Sequence, residues 1–359
     1  MSVERMERPP SSPTVSGTGA IDLASWRERA LTFRRELGKV IVGQDRALQL
    51  ITIAVFARGH VLLEGDVGVG KTTLLRAAAR AMGGAYERIE GTIDLMPADF
   101  IYHTYLAEDG RPRVEPGPVL RHGSDLAIFF FNEINRARPQ VHSLLLRLMA
   151  ERSVSAFNRE YAFPYLQVFA DRNRIEREET FELPAAARDR FLMEIGIEAP
   201  RDRETRRQLA FDTRFHDADA LVETVSEGIL DHRSLGAVGK EIQRTVKTSP
   251  ALERYVVDLW EAVRYPQNAG ITLDGIDMTR FVQGGASPRG VSYLLRAARV
   301  AAWLSGRSMV VPEDLREVFF ETMAHRIFLE PAYELRRDAL VRALCEALFK
   351  TIPAPTDGA

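Results

Sequence analysis

Apolar residues up to residue 200 form two kinds of pattern along the chain. Short apolar runs predict buried strands, at residues 61–64, 86–90, 125–131, 166–170 and 191–197. Apolar residues spaced three and four apart predict helices, among them 21–38, 73–80 and 139–152. The run at 125–131 is almost continuously apolar, which is typical of a central parallel strand buried on both faces. Strands that alternate with helices predict a parallel α/β sheet.

The pattern changes after residue 200, where helical spacing takes over. Helices are predicted at 221–246, 250–264, 288–305, 312–326 and 334–351. Two stretches in the first part, 101–114 and 154–164, instead predict β-hairpins. We therefore predict a disordered tail rich in Ser, Pro and Gly at residues 1–20, an α/β nucleotide-binding domain at 21–200 and a smaller all-helical domain at 201–359.

One segment between a predicted strand and a predicted helix has a phosphate-binding pattern. Residues 65–72 fit G-x-x-x-x-G-K-[ST], the Walker A loop. In such a loop, backbone N–H groups and the helix N-terminus bind phosphate, the lysine reaches the β- and γ-phosphates, and the hydroxyl binds Mg²⁺. A chance match in a glycine-containing turn is the alternative. The predicted nucleotide-binding residues of this segment are Gly65, Asp66, Val67, Gly68, Val69, Gly70, Lys71, Thr72 and Thr73.

A polar pair, Asn132 and Glu133, follows the apolar strand at 125–131. The carboxyl ends of parallel strands meet at one edge of a sheet, so the pair is expected beside the phosphate loop. Glu133 would polarise the attacking water. Position 132 normally carries an aspartate bound to the Mg²⁺ shell, whereas an asparagine amide supplies no negative charge and Mg²⁺ prefers carboxylate. We expect weakened Mg²⁺ binding and slower, residual hydrolysis; the alternative is a simple turn after a strand.

Composition narrows the function classes. The net charge of −2 gives no general attraction to nucleic acid. Hydrophobic residues make up 45% of the chain and charged residues 27%, which is enough for a sizeable core. The single cysteine, Cys345, excludes an internal disulfide and favours a reducing compartment. No apolar run reaches membrane-spanning length, so the sequence predicts a cytoplasmic protein without membrane insertion.

Several segments together resemble the MoxR group of AAA+ ATPases over most of residues 40–328. The segments that carry the resemblance are 59–65, the Walker A loop, 132–137, 180–184, 189–191, 285–289 and 325–326. The resemblance implies an AAA+ phosphate-loop core followed by a helical lid, ATP and Mg²⁺ as cofactors, and a homo-oligomeric, usually hexameric, ring. It also implies chaperone-like remodelling of client proteins, often with a von Willebrand factor A domain protein as partner.

The resemblance further implies roles for residues outside the loop. Val42 and Gln44 would lie near the adenine. Asn173 falls at the sensor-1 position, where its amide would hold the attacking water; a strand-end cap is the alternative. The two hairpins correspond to the helix-2 insert and the pre-sensor-1 hairpin of this clade.

Two arginines have implied roles around the γ-phosphate. Arg190 corresponds to the arginine finger that reaches the neighbouring subunit's nucleotide, although an ion pair with Asp189 is an alternative and Arg188 competes for the role. Arg289, from the helical lid, corresponds to sensor 2 and would lie over the γ-phosphate of its own chain.

The chain also departs from the family pattern. Residues 170–174 read Ala-Asp-Arg-Asn-Arg where the family usually has Ala-Thr-Gln-Asn-Pro, and Arg147 replaces a usual glutamate. These changes, with Asn132, leave a non-enzymatic alternative, a nucleotide-gated oligomeric scaffold with little or no turnover. A nucleic-acid motor with the same core is disfavoured by the balanced charge.

Overall fold

The computed structural model of this chain describes residues 21–172 and 181–355. Its centre is a five-stranded sheet in the order β2-β5-β8-β1-β9, and all neighbouring strands run parallel. The predicted parallel α/β sheet is therefore confirmed. The strands are β1 His60–Glu64, β2 Ala85–Glu90, β5 Leu126–Asn132, β8 Gln167–Arg172 and β9 Phe191–Gly196.

Two β-hairpins project from the sheet region, as the sequence predicts. Their strands are β3 Tyr102–Leu106 and β4 Pro112–Pro116, and β6 Ser153–Ala156 and β7 Arg159–Ala162. The turn of the second hairpin is formed by Phe157 and Asn158, which have φ values of 51° and 58°. Two consecutive residues with positive φ match the turn that two-residue hairpin loops favour.

Helices cover both faces of the sheet. They are α1 Leu23–Val40, α2 Asp45–Phe56, α3 Lys71–Met82, α4 Pro139–Glu151, α5 Ala185–Arg188, α6 Arg203–Phe211 and α7 Ala218–Glu223. The first helix is capped by Asp22, whose carboxylate accepts the backbone N–H groups of Ala24 and Ser25. Capping of this kind satisfies N–H groups that have no partner within the helix.

The remaining part of the chain is helical, with one small exception. Its helices are α8 Leu235–Thr245, α9 Pro250–Arg264, α10 Met278–Phe281, α11 Pro288–Leu304, α12 Pro312–Met323 and α13 Arg337–Thr351. A short antiparallel pair, β10 Val282–Gly284 and β11 Phe328–Leu329, joins two distant parts of this helical domain. The sequence does not predict this pair, because strands of three and two residues are too short to show an alternating pattern.

The single helix predicted at 221–246 is wrong. Helix α7 ends at Glu223 and α8 begins at Leu235. Between them, the N–H groups of Gly228, Leu230 and His232 donate to the last carbonyl oxygens of α3, at Arg80, Ala81 and Met82, over 3.0 Å each. The carbonyls of a last helical turn lack partners further along the helix, although that of Arg80 also accepts the Gly83 N–H. The segment between α7 and α8 is therefore held against the end of α3.

The helical domain packs closely against the α/β domain. One cluster of buried apolar residues includes members of both domains, and the rings of Phe56 and Trp303 meet at a centroid distance of 5.0 Å. Arg326, which is 1% exposed, donates to the Asp189 carboxylate and to the Phe191 carbonyl oxygen. Within the described ranges, no helix is long and apolar enough to cross a membrane.

Candidate nucleotide site

The phosphate loop follows β1 and leads directly into α3, as its sequence predicts. Gly65 is packed so closely that an added Cβ would lie 2.1 Å from the Ile197 carbonyl oxygen. Gly70, the residue before α3, has a φ of 88° and lies in the left-handed region that favours glycine. No described side chain caps the N-terminus of α3. Its first N–H groups are thus left for an anion, which the helix dipole also attracts.

Lys71 is the first residue of α3 and points back across the loop. Its Nζ donates to the Gly65 carbonyl oxygen over 2.9 Å and lies 2.6 Å from Asp171 Oδ2. The Lys71 side chain is 10% exposed and that of Asp171 is 1% exposed. The next residue, Thr72, is partly exposed in the first turn of the same helix. This turn can therefore present both an ammonium group and a hydroxyl to bound phosphates.

A cavity of about 390 Å³ opens beside the loop. The predicted adenine-site residues Val42 and Gln44 line it, and the Gln44 amide donates to the Glu198 carbonyl oxygen. Other lining residues were missed by the sequence reasoning: Pro200, Leu209, Phe215, Ala218 and Leu221. The only feature of the sequence that could have indicated these lining residues is a few apolar positions in the charged stretch after residue 200. Helices α6 and α7, on the far side of the predicted domain boundary, thus help to form the cavity.

Asn132 and Glu133 lie at the carboxyl end of β5, but β5 is not the direct neighbour of β1. Strand β8 lies between them. The Asn132 amide donates to the Glu90 carboxylate at the end of β2. Glu133 has a φ of 53°, and its carboxylate accepts from Arg136 over 2.9 Å.

Asp171 is a site residue that the sequence reasoning did not assign. It lies on β8, between the strand with the phosphate loop and the strand with Asn132. Its Oδ1 accepts the backbone N–H of Glu133, while its Oδ2 faces Lys71. Burial raises the pKa of Asp171, and the Lys71 ammonium opposes that shift. The only sequence signal was an acidic residue at the second position of residues 170–174.

Arg289 does not lie over the phosphate loop of its own chain, so its expected position in cis is wrong. It pairs with Asp189 at 3.2 Å, and Asp189 precedes β9. In the sheet, Phe191 of β9 is level with His60 at the start of β1, whereas the loop follows the end of β1. A strand of five residues separates the two edges by about 13 Å. The lid packs against the far edge of the sheet, and this packing holds Arg289 there.

The two finger candidates have different surroundings. Arg190 is partly exposed and donates to the Ala186 carbonyl oxygen over 2.7 Å. Burial lowers the pKa of Arg188, and the nearby Arg172 guanidinium lowers it further. The third implied catalytic residue outside the loop, Asn173, lies outside the described residues.

The described residues contain no group of three or more His, Cys, Asp or Glu side chains that could hold a metal ion. Mg²⁺ that enters with nucleotide is usually held by one or two protein oxygens together with phosphates and water. The Thr72 hydroxyl lies in the first turn after the loop, the Asp171 carboxylate lies against Lys71, and the Asn132 amide lies one strand further along the sheet; these oxygen donors fit such an ion.

Comparison with known proteins agrees with this geometry. The ATPase family associated with various cellular activities (AAA) matches residues 60–193, and an AAA lid domain matches residues 278–344. The chain is 69% identical over 333 residues to Protein MoxR of Methylorubrum extorquens, covering 93% of this chain and 97% of that protein. It is 35% identical over 297 residues to Chaperone MoxR1 of Mycobacterium tuberculosis, covering 82% and 74% respectively.

A solved structure shares the fold. The crystal structure of a candidate ATPase from Cytophaga hutchinsonii superposes with a TM-score of 0.77 at 30% identity, covering 94% of this chain and 100% of that chain. The likeness therefore includes the α/β domain, the helical domain and their arrangement.

Proposed function

Because the chain belongs to the MoxR family of AAA+ ATPases, we propose that it binds ATP with Mg²⁺, assembles into a homo-oligomeric ring and remodels client proteins. The observation that carries the proposal is the intact loop, with Lys71 and Thr72 at the uncapped start of α3 and an open cavity beside it. The relative named as a chaperone supports the remodelling activity.

Two residues of the loop, Lys71 and Thr72, have defined parts in this proposal. Lys71 turns from Asp171 to the β- and γ-phosphates, which offer it more negative charge. Thr72 binds the Mg²⁺, which neutralises charge on the phosphates when bound. The base enters the cavity lined by Val42 and Gln44. We propose that α6 and α7 connect the two domains predicted at 21–200 and 201–359 and close over the base.

Glu133 acts on the attacking water in this proposal. Its backbone N–H contacts Asp171, which pairs with Lys71 of the loop, and its carboxylate is paired with Arg136. Hydrolysis therefore requires Glu133 to exchange Arg136 for the water. The positive φ of Glu133 is an uncommon conformation that a precise active-site position can require. With Asn132 in the metal site, we expect slow turnover.

A ring would supply each nucleotide site with arginines from a neighbouring subunit, which the single chain does not place beside its own loop. Arg190 and Arg289 lie at the edge of the sheet opposite the loop, too far to reach their own nucleotide. We propose that both act on the nucleotide of a neighbouring subunit, with Arg190 as the finger. Arg188 is surrounded by other charged groups of its own chain, whereas Arg190 donates to a backbone carbonyl oxygen, and this difference supports the choice. The ring is expected to be a hexamer.

The two hairpins form the surface that we propose for client contact. Tyr102 and Phe157 join them, with ring centroids 5.5 Å apart. Their apolar side chains are unusually exposed, at 75% for Leu106, 54% for Val114 and 54% for Phe157. Exposed apolar groups on neighbouring loops are typical of surfaces that bind other proteins. A von Willebrand factor A domain protein remains the proposed partner, and we retain the cytoplasmic location, which cell fractionation would test.

Measurement of ATP binding and turnover tests the proposal. Wild type should hydrolyse ATP with Mg²⁺, Glu133→Gln should bind ATP without turnover, and Lys71→Ala should lose binding. The matched control is Lys240→Ala, which removes an exposed lysine on α8 and should leave binding and turnover unchanged. If Lys71→Ala bound ATP as well as wild type, the proposal would be refuted.

A nucleotide-gated scaffold is the second candidate, and Asn132 is the observation that favours it. It predicts nucleotide-dependent oligomers without turnover in the wild type, and turnover in Asn132→Asp. Size-exclusion chromatography with and without ATP, combined with the hydrolysis assay, separates the two functions.

A further inference from the structure

The metal side of the site has an unusual distribution of charge. Asn132 is neutral, and its amide nitrogen is already used by the Glu90 carboxylate. The Glu133 carboxylate is paired with Arg136. The end of β5 therefore offers an incoming Mg²⁺ no negatively charged oxygen apart from Glu133, which hydrolysis needs for the water.

Asp171 places a carboxylate one strand away from Asn132. Phe131 of β5 is level with Ala170 of β8, so the next residues, Asn132 and Asp171, lie side by side near the carboxyl ends of the two strands. On its other side, Asp171 is level with Leu63 of β1, just before the phosphate loop. Asp171 thus lies between the loop and the position that normally anchors the metal.

The contacts of Asp171 fix its carboxylate toward the loop. The Glu133 N–H holds Oδ1, and the Lys71 ammonium lies 2.6 Å from Oδ2. The side chain is 1% exposed, so it cannot turn to solvent. When Lys71 moves to the phosphates, Oδ2 is left as a buried anionic oxygen, and such a group needs a new positive partner.

The charges of the two strand ends also explain the asparagine. An aspartate at 132 beside Asp171 would put two carboxylates together at adjacent strand ends, and like charges at such a distance oppose each other's ionisation. One carboxylate and one amide avoid this repulsion. The site keeps one negative charge for the metal, on β8 instead of β5.

We propose that Asp171 is the carboxylate that holds the Mg²⁺ of bound nucleotide, in place of the residue at 132. The inference rests on the proposed function, since it concerns the metal that enters with ATP. In the structure Asp171 is the counter-ion of Lys71. In the nucleotide-bound protein its Oδ2 joins the coordination shell of the Mg²⁺, and Asn132 contributes a neutral hydrogen bond.

The test measures metal binding separately from hydrolysis. Binding of a fluorescent ATP analogue to the full chain is measured in EDTA and then as a function of Mg²⁺ concentration. Asp171→Asn should raise the Mg²⁺ concentration at half effect by about tenfold or more, the loss typical when a partner of a metal site is removed. Its affinity in EDTA should not fall, because the loss of Asp171 frees Lys71 for the phosphates, so a weaker response to Mg²⁺ reports the metal alone.

The exchanged pair is the decisive variant. Asn132→Asp combined with Asp171→Asn returns the carboxylate to β5 and should restore the Mg²⁺ midpoint of the wild type. The matched control is Glu330→Gln, which removes a carboxylate paired with Arg280 in the lid and should leave the midpoint unchanged. Thermal unfolding of each variant checks that it folds.

A second variant tests the same contact if Asp171→Asn does not fold. Asp171→Cys replaces the oxygen by a soft sulfur, which prefers Cd²⁺ to Mg²⁺. Cd²⁺ should then support analogue binding at lower concentration in the variant than in wild type. A residue that only held Lys71 in place would produce no such change in metal preference.

The results separate the inference from the function on which it rests. If wild type does not bind the analogue, the proposed function fails. If wild type binds the analogue but Asp171→Asn has the wild-type Mg²⁺ midpoint, Asp171 does not bind the metal. The same conclusion follows if the variant loses affinity for the analogue by the same factor in EDTA and in Mg²⁺. An unchanged metal preference in Asp171→Cys overturns the inference in the same way.

Discussion

His60 is the first residue of β1, the strand that leads to the phosphate loop, and its hydrogen bonds are compatible with only the neutral form of the ring. The Val168 N–H donates to Nδ1 over 2.9 Å, and Nε2 lies 3.1 Å from the Met149 carbonyl oxygen. Since a backbone N–H can only donate, Nδ1 is unprotonated and Nε2 carries the hydrogen. Burial, aided by the charge of Arg152, lowers the pKa of His60 to about 3.

This shift makes the stability of the fold depend on pH. The ordinary pKa of histidine is 6.5. Below that pH, His60 binds a proton in the unfolded chain but stays neutral in the folded chain. The contribution of neutral His60 is complete above pH 6.5 and decreases as the pH falls toward the folded value. At pH 5 the difference of about 1.5 pKa units corresponds to about 2 kcal/mol of lost unfolding free energy.

Urea unfolding of wild type and His60→Asn at pH 7 and pH 5 measures this contribution. Asparagine cannot titrate, but its carbonyl oxygen can accept the Val168 N–H. All other titrating groups are common to both proteins. Between the two pH values, wild type should lose about 2 kcal/mol more than the variant. Equal losses, within the error of the extrapolation to zero urea, would refute the reasoning.

Three further substitutions or reactions have expected outcomes. Gly65→Ala should abolish ATP binding and cost about 1–3 kcal/mol of unfolding free energy, because its Cβ meets the Ile197 carbonyl. The control Gly236→Ala, in an open part of α8, should instead stabilise the fold by about 0.5–1 kcal/mol. Urea unfolding measures the stability of both variants, and equal effects would contradict the close packing at Gly65. Burial raises the pKa of the Cys345 thiol to about 12, so a disulfide reagent at pH 8 should label the native chain at least about a hundredfold more slowly than the unfolded chain; similar rates would show that the thiol is accessible. Arg326→Met should cost about 1–3 kcal/mol in urea unfolding because it removes a buried donor from the Phe191 carbonyl and one of the two arginines that hold Asp189, whereas Arg280→Met, at an exposed ion pair, should cost less than about 1 kcal/mol.

Local patterns in the sequence were sufficient for most of the fold. The helix predicted at 250–264 has the bounds of α9 in the structure, because its proline start and apolar spacing are properties of the segment itself. The phosphate loop was equally clear, since strand, glycines, lysine and helix are contiguous. The segment between α7 and α8 could not be predicted, because its backbone partners are carbonyl oxygens in α3, far away along the chain.

The parts of the site that the sequence did not give depend on tertiary contacts. The sequence predicted Asn132 at the carboxyl edge of the sheet, and only the strand order shows that β8 lies between β5 and β1 and brings Asp171 against Lys71. Arg289 was expected over the loop, and its true position follows from how the lid packs on the edge at Asp189. In both cases the missing information is a tertiary contact that no local pattern contains.

The hydrogen bonds at the end of α3 give this helix a mechanical role. Its first turn faces the phosphates, and its last carbonyl oxygens hold the segment that leads into α8 of the lid. A helix of twelve residues is a stiff rod about 18 Å long. A displacement of the first turn by bound nucleotide would therefore also shift the carbonyl oxygens that hold the segment leading into the lid. Helix α3 thus provides a direct structural link between the phosphate loop and the helical domain.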